Sequence, residues 1–92
     1  MGLHRVKVLI DGRVQGVGYR MYVRDLACQY HVSGWVRNRI DGSVESTLEG
    51  ETEMVNEVLE GLYARGSPII RVDTVSVTPE NPIGITGFEI RR

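Results

Sequence analysis

The stretch with the most chemical potential is Gly12-Arg13-Val14-Gln15-Gly16-Val17-Gly18-Tyr19-Arg20. A short alternating apolar run leads into it, and an amphipathic helix pattern leads out. Strand, glycine-rich turn and helix together make a cradle for an anion. The glycines let successive backbone N–H groups point at one spot. The following helix adds its own free N–H groups and the positive end of its dipole. Arg20 falls in the first turn of that helix, where its planar guanidinium suits two phosphate oxygens at once. The glycine spacing is neither the dinucleotide pattern nor a Walker loop, so by spacing alone the stretch reads equally as a tight turn between strand and helix. No His, Cys or Asp cluster has metal-ligand spacing, and no Ser-His or Cys-His pairing is readable. Asp11 is the one carboxylate near the loop.

The whole chain sets the bounds. Its 92 residues suit one domain, residues 1–92. A net charge of −1 argues against a general nucleic-acid binder or a basic membrane-surface protein. The single cysteine, Cys28, permits no intrachain disulfide and fits a reducing compartment. It reads as a small, partly buried helix residue rather than a nucleophile. No run is apolar and long enough to span a bilayer, no leader pattern is visible, and Val6 breaks the myristoylation pattern after Met1-Gly2. The expectation is a soluble, cytoplasmic protein that acts as a monomer and binds neither nucleic acid nor membrane.

The elements that must hold the loop follow from periodicity. Val6, Val8 and Ile10 alternate, giving a first strand over 5–10. Tyr22, Val23, Leu26, Ala27 and Tyr30 form one stripe of a helix over 19–30 that stops near His31. Residues 32–38 give a second strand with Trp35 as an apolar anchor. Asp41-Gly42 signals a two-residue hairpin into a third strand, 43–49. Thr52 caps a second helix, whose stripe is Val55, Val58, Leu59 and Leu62 and which ends at Arg65-Gly66. A fourth strand over 69–78 slips phase near Asp73-Thr74, the mark of a bulge. Pro79 to Gly87 reads as a loop, and Phe88 and Ile90 as a short last strand.

This order predicts an α+β protein: a ferredoxin-like β-α-β-β-α-β sandwich, with an antiparallel sheet of four to five strands and two helices on one face. A right-handed crossover makes the first and second strands parallel. If the third lies between them, the loop after the first and Asn38 at the end of the second are roughly 10 Å apart at one edge of the sheet. A bound phosphate and the long Arg20 side chain fill that gap. One arginine, one amide and many backbone donors can hold phosphate and a water, but supply no strong general acid. An alkoxide leaving group would need a proton, whereas a carboxylate, with a pKa of about 4, leaves without one.

GRVQGVGYR at 12–20 followed by GWVRN at 34–38 resembles the two signatures of the acylphosphatase family. Similarity continues through Asp41-Gly42-Ser43-Val44-Glu45, Gly66-Ser67-Pro68, Arg71-Val72 and Gly87-Phe88-Glu89-Ile90. The resemblance implies the same fold and a substrate class, acyl phosphates, hydrolysed to a carboxylate and inorganic phosphate. It implies Arg20 and Asn38 as catalytic residues. The backbone N–H groups of Gln15, Gly16, Val17, Gly18 and Tyr19, with Arg20, hold the phosphoryl group, and Asn38 positions the water. The substrate phosphate accepts the water's proton. No metal and no cofactor are called for, and inorganic phosphate is both product and competitive inhibitor. Two departures stand out. Tyr19 replaces the family's frequent Phe, its ring packing and its hydroxyl a minor candidate for the site. Tyr30-His31 replaces Leu-Gly, making His31 a strained left-handed cap. Two rival readings remain: a non-catalytic phosphate or carbamoyl-phosphate module, against which the retention of Arg20 and Asn38 and the single-domain length both argue, and an RNA-binding domain of related topology. RNA-binding domains display aromatic rings on central strands, where Val8 and Ser46 are expected here.

Overall fold

The computed structural model describes residues 2–92. Its elements, in chain order, are β1 (Leu3–Arg13), α1 (Tyr19–Gln29), β2 (Ser33–Asn38), β3 (Val44–Glu51), α2 (Thr52–Gly61), β4 (Arg71–Glu80) and β5 (Phe88–Arg91). The alternating apolar face of β1 is buried at Val6, Val8 and Ile10. β1 runs further at both ends than its own pattern, because pairing with β3 begins at Leu3 and pairing with β4 continues to Arg13. The strands lie in the order β4-β1-β3-β2-β5. β1 and β2 are therefore parallel across an intervening β3, as a right-handed crossover requires. β5 pairs with β2 in parallel, so the sheet is mixed and not purely antiparallel. The chain reaches that far edge by carrying the segment after β4 across the sheet.

Both helices pack on the same sheet face. Val23 and Ala27 of α1, Val55 and Val58 of α2, and Leu62 just beyond it close over Val6, Val8, Ile10, Val36, Val44 and Leu48. Val8 and Ser46 lie on this covered face, fully buried, and so are not where an RNA-binding sheet displays its rings. Trp35 is not a core anchor. It lies half-buried on the other face, with the guanidiniums of Arg91 and Arg37 at 4.7 and 5.7 Å from its ring centre.

On that other face β3 buries Glu45, Thr47 and Glu49. Buried carboxylates need partners. Glu45 has Arg37 at 2.7 Å and Lys7 at 3.3 Å. Glu49 has Arg5 at 3.1 Å and accepts from the amides of Ile83 and Gly84 at 3.1 and 2.7 Å. Those two amides pin the crossing segment to the sheet.

Helix ends and turns refine the sequence expectations. α1 closes with His31 at φ 57°, its N–H on the Cys28 carbonyl and the Val32 N–H on the Ala27 carbonyl. This is the paired closure of a left-handed cap, formed around a histidine. Cys28 is exposed, not partly buried. Thr52 does not cap α2: the cap position is Glu51, and the Thr52 hydroxyl donates to the Gly2 carbonyl at 3.3 Å. α2 ends at Gly61 rather than Arg65-Gly66, because Ala64 turns left-handed at φ 49° and bonds back to the Gly61 carbonyl. The hairpin after β2 has three loop residues, not two. Arg39 and Ser43 pair, the Gly42 N–H returns to the Arg39 carbonyl, and Gly42 takes φ 95°. The bulge is where the phase slip put it: Asp11 faces Thr74 and Gly12 faces Val72, leaving Asp73 over. Pro79 belongs to β4, an edge strand that tolerates its missing N–H.

Candidate active site

The turn between β1 and α1 is anchored by Val14, which is buried. Gly16 and Gly18 take φ 74° and 76°, a region open to glycine and costly for residues with a Cβ. Gly18 is the N-cap of α1 and brings no side chain to satisfy the helix's first amides, and the first turn has no acidic residue. Among the described residues, the N–H groups of 15–18 enter no backbone hydrogen bond. The turn and the helix start therefore present free donors and a positive dipole end to the same side.

Arg20 follows in the first turn of α1, and its Nη1 donates to the Arg91 carbonyl of β5 at 3.1 Å. Asn38 ends β2 on the helix-covered side, in phase with buried Val36. Its Oδ1 is buried and accepts no hydrogen bond from the described residues. A buried amide oxygen without a partner is costly, so one on a residue that lines a cleft is suited to a donor brought by a ligand or water. Arg20 and Asn38 line one cleft of about 200 Å³ with Gly16, Gly18 and Tyr19, closed by Val14, Met21 and Ile90. No carboxylate lines it. Of the larger hollows, two, about 620 and 580 Å³, lie along the 83–87 segment and contain neither Arg20 nor Asn38, and a third, about 370 Å³, is lined by Asn38 with Arg37, Arg39, Ile40 and Asp41 but not by Arg20.

The cleft thus gathers Arg20, Asn38, Gly16, Gly18 and Tyr19 of the expected site. Val17 and Gln15 belong to the same turn but do not line it. Asp11 points away, accepting from the Thr74 hydroxyl at 3.3 Å. The Tyr19 hydroxyl is buried elsewhere and donates to the Leu62 carbonyl at 2.7 Å. Burial, with Tyr22 beside it, holds that phenol well above its usual titration range. Tyr22 donates in parallel to the Gly61 carbonyl at 2.6 Å. Two α1 hydroxyls thus bind carbonyls at the end of α2, that of Gly61 shared with the Ala64 N–H.

The acylphosphatase family profile matches residues 6–90. The acylphosphatase of Natronomonas pharaonis is 48% identical over 88 residues, 96% of this chain and 95% of that protein. The chain belongs to the acylphosphatase family. The crystal structure of acylphosphatase from Bacillus subtilis superposes with a TM-score of 0.90 at 36% identity, covering 99% of this chain and all of that one. T. kodakarensis HypF is similar at 30% identity and a TM-score of 0.82, over 97% of this chain but only 12% of HypF.

As a family member the chain is an acyl phosphate hydrolase. To the sequence reading the structure adds the Arg91 carbonyl that receives Arg20, the apolar wall of Val14, Met21 and Ile90, and, outside the cleft, the contacts of the Gln15 side chain. The Gln15 amide donates to the Arg39 and Ser43 carbonyls, each at 2.8 Å. No pattern in the sequence signals these contacts, since they depend on segments far apart in the chain. Among the described residues no group of three His, Cys, Asp or Glu stands together as a metal site, and no helix is long and apolar enough to cross a membrane.

Proposed function

We propose that this cleft hydrolyses acyl phosphates with Arg20 as the phosphate clamp and Asn38 as the water-positioning group. The unpartnered, buried Oδ1 of Asn38, sharing a cleft with Arg20 and the glycine turn, carries the reading. The free amides of the turn and of the first turn of α1 cradle the phosphoryl oxygens, and the Arg20 fork closes over them. These donors stabilise the charge spread over the oxygens in a loose transition state. Asn38 Oδ1 accepts a hydrogen bond from a water and holds it in line with the scissile bond. Water oxygen bonds to phosphorus as the bond from phosphorus to the acyl oxygen breaks. The electron pair leaves with the carboxylate, and the water's proton passes to the phosphate. A carboxylate needs no general acid to depart, which matches a cleft without one. On this reading residues 1–92 act as one cytoplasmic domain, a monomer that works without metal, cofactor or nucleic acid.

The chain also matches a part, 12%, of the longer T. kodakarensis HypF, and the other reading is a module that binds phosphate without turnover. Incubation with a simple aromatic acyl phosphate separates the two. The proposal expects phosphate release, inhibited competitively by inorganic phosphate. Phosphate binding with no release would leave the binding module standing.

A further inference from the structure

Gln15 sits in the phosphate turn, but its side chain faces away from the cleft toward the β2–β3 hairpin. Its Nε2 donates to the carbonyls of Arg39 and Ser43, both at 2.8 Å. Both partners are acceptors only, so the orientation of the amide is settled by the contacts and both of its hydrogens are used. The same carbonyls already close the hairpin. Ser43 O receives the Arg39 N–H at 2.8 Å, and Arg39 O receives the Gly42 N–H at 3.2 Å. Gln15 fills the second acceptor position of each. Asp41 stiffens the loop further, its carboxylate accepting from the Ser43 N–H at 3.0 Å and the Ser43 hydroxyl at 2.6 Å.

Arg39 is the residue immediately after Asn38. A turn that carries the phosphate donors is therefore fastened, through one side chain, to the backbone that aims Asn38. We infer that Gln15 is a positioning residue that sets the distance between the bound phosphoryl group and the water held by Asn38. The inference rests on the proposed role of Asn38 and extends it. The Gln15 side chain touches neither substrate nor water; it acts through Asn38. In-line attack is sensitive to displacements of about 1 Å, and the Gln15 side chain ties the hairpin to the phosphate turn.

The test is a double-mutant cycle in acyl phosphate hydrolysis, with phosphate inhibition and denaturation midpoints measured on each variant. Gln15→Met keeps the length and removes both donors. Gln15→Asn keeps the amide but is one methylene too short to reach both carbonyls, and it serves if Gln15→Met does not fold. Either is expected to lower kcat at least about 10-fold. The phosphate inhibition constant is expected to stay within about twofold of wild type, as for an interaction expressed mainly in the transition state. In an Asn38→Ala background the same change is expected to cost little more, because the group it positions is gone. Unchanged kcat, a parallel loss of phosphate affinity, or full additivity with Asn38→Ala would each overturn the role of Gln15. Full turnover in Asn38→Ala alone would overturn the water-positioning reading as well. An impaired Asn38→Ala beside an unaffected Gln15→Met would overturn the Gln15 inference only.

Discussion

His31 occupies a left-handed position, φ 57°, at the end of α1. A Cβ there costs about 1 kcal/mol, which glycine does not incur. His31→Gly is expected to raise stability by about that amount, read from the denaturant midpoint at unchanged slope. An equal or lower midpoint would show that the imidazole has another role. Arg20 lies at the same scale with the opposite expectation. Arg20→Lys keeps the charge but loses the fork, so phosphate inhibition should weaken sharply in it and in Arg20→Ala. Inhibition as strong as in wild type would remove Arg20 as the clamp. That Arg20 and Asn38 share one cleft was legible from chain order, and the left-handed turn at His31 from the family resemblance, where a glycine is usual. The Gln15 side chain was not: its acceptors lie 24 and 28 residues away, and only the folded hairpin presents them.

The strands of the central sheet and the faces of both helices could be read from period alone, as could the bulge at Asp73. The boundaries that shifted did so for tertiary reasons. α2 stops where Ala64 turns left-handed, beside the Gly61 and Leu62 carbonyls that the hydroxyls of Tyr22 and Tyr19 bind. On the polar face of β3, Glu49 is buried under the segment it holds. Burial alone would raise the Glu49 pKa. The amides of Ile83 and Gly84, with Arg5, outweigh that and keep the carboxyl below its usual range. A lowered folded pKa stabilises the protein above the usual carboxylate range, and that stability is lost as pH falls below it. Glu49→Gln is therefore expected to be less stable than wild type at about pH 7, with the gap closing toward about pH 3. Urea midpoints across that range test this. A gap that stays constant would mean that the charge of Glu49 does not hold the crossing segment.

At the scale of the whole molecule, the right-handed crossover and the insertion of β3 bring the β1 turn and the end of β2 to one edge. That much follows from chain order and handedness. The parallel addition of β5 beside β2 does not, because it depends on a loop path fixed by Glu49 rather than by local pattern. The cleft so formed contains donors and an amide but no carboxylate. Hydrolysis is therefore expected to continue unchanged in excess chelator, and activity lost on chelation and restored by a divalent ion would contradict the mechanism. The most direct measurement of the central claim is steady-state hydrolysis of an acyl phosphate by wild type and Asn38→Ala, each with phosphate inhibition. Asn38 carries no charge and is assigned to the water, not the phosphate. Turnover in Asn38→Ala is expected to fall at least about 100-fold, with the phosphate inhibition constant nearly unchanged. Full turnover in the variant would contradict the account.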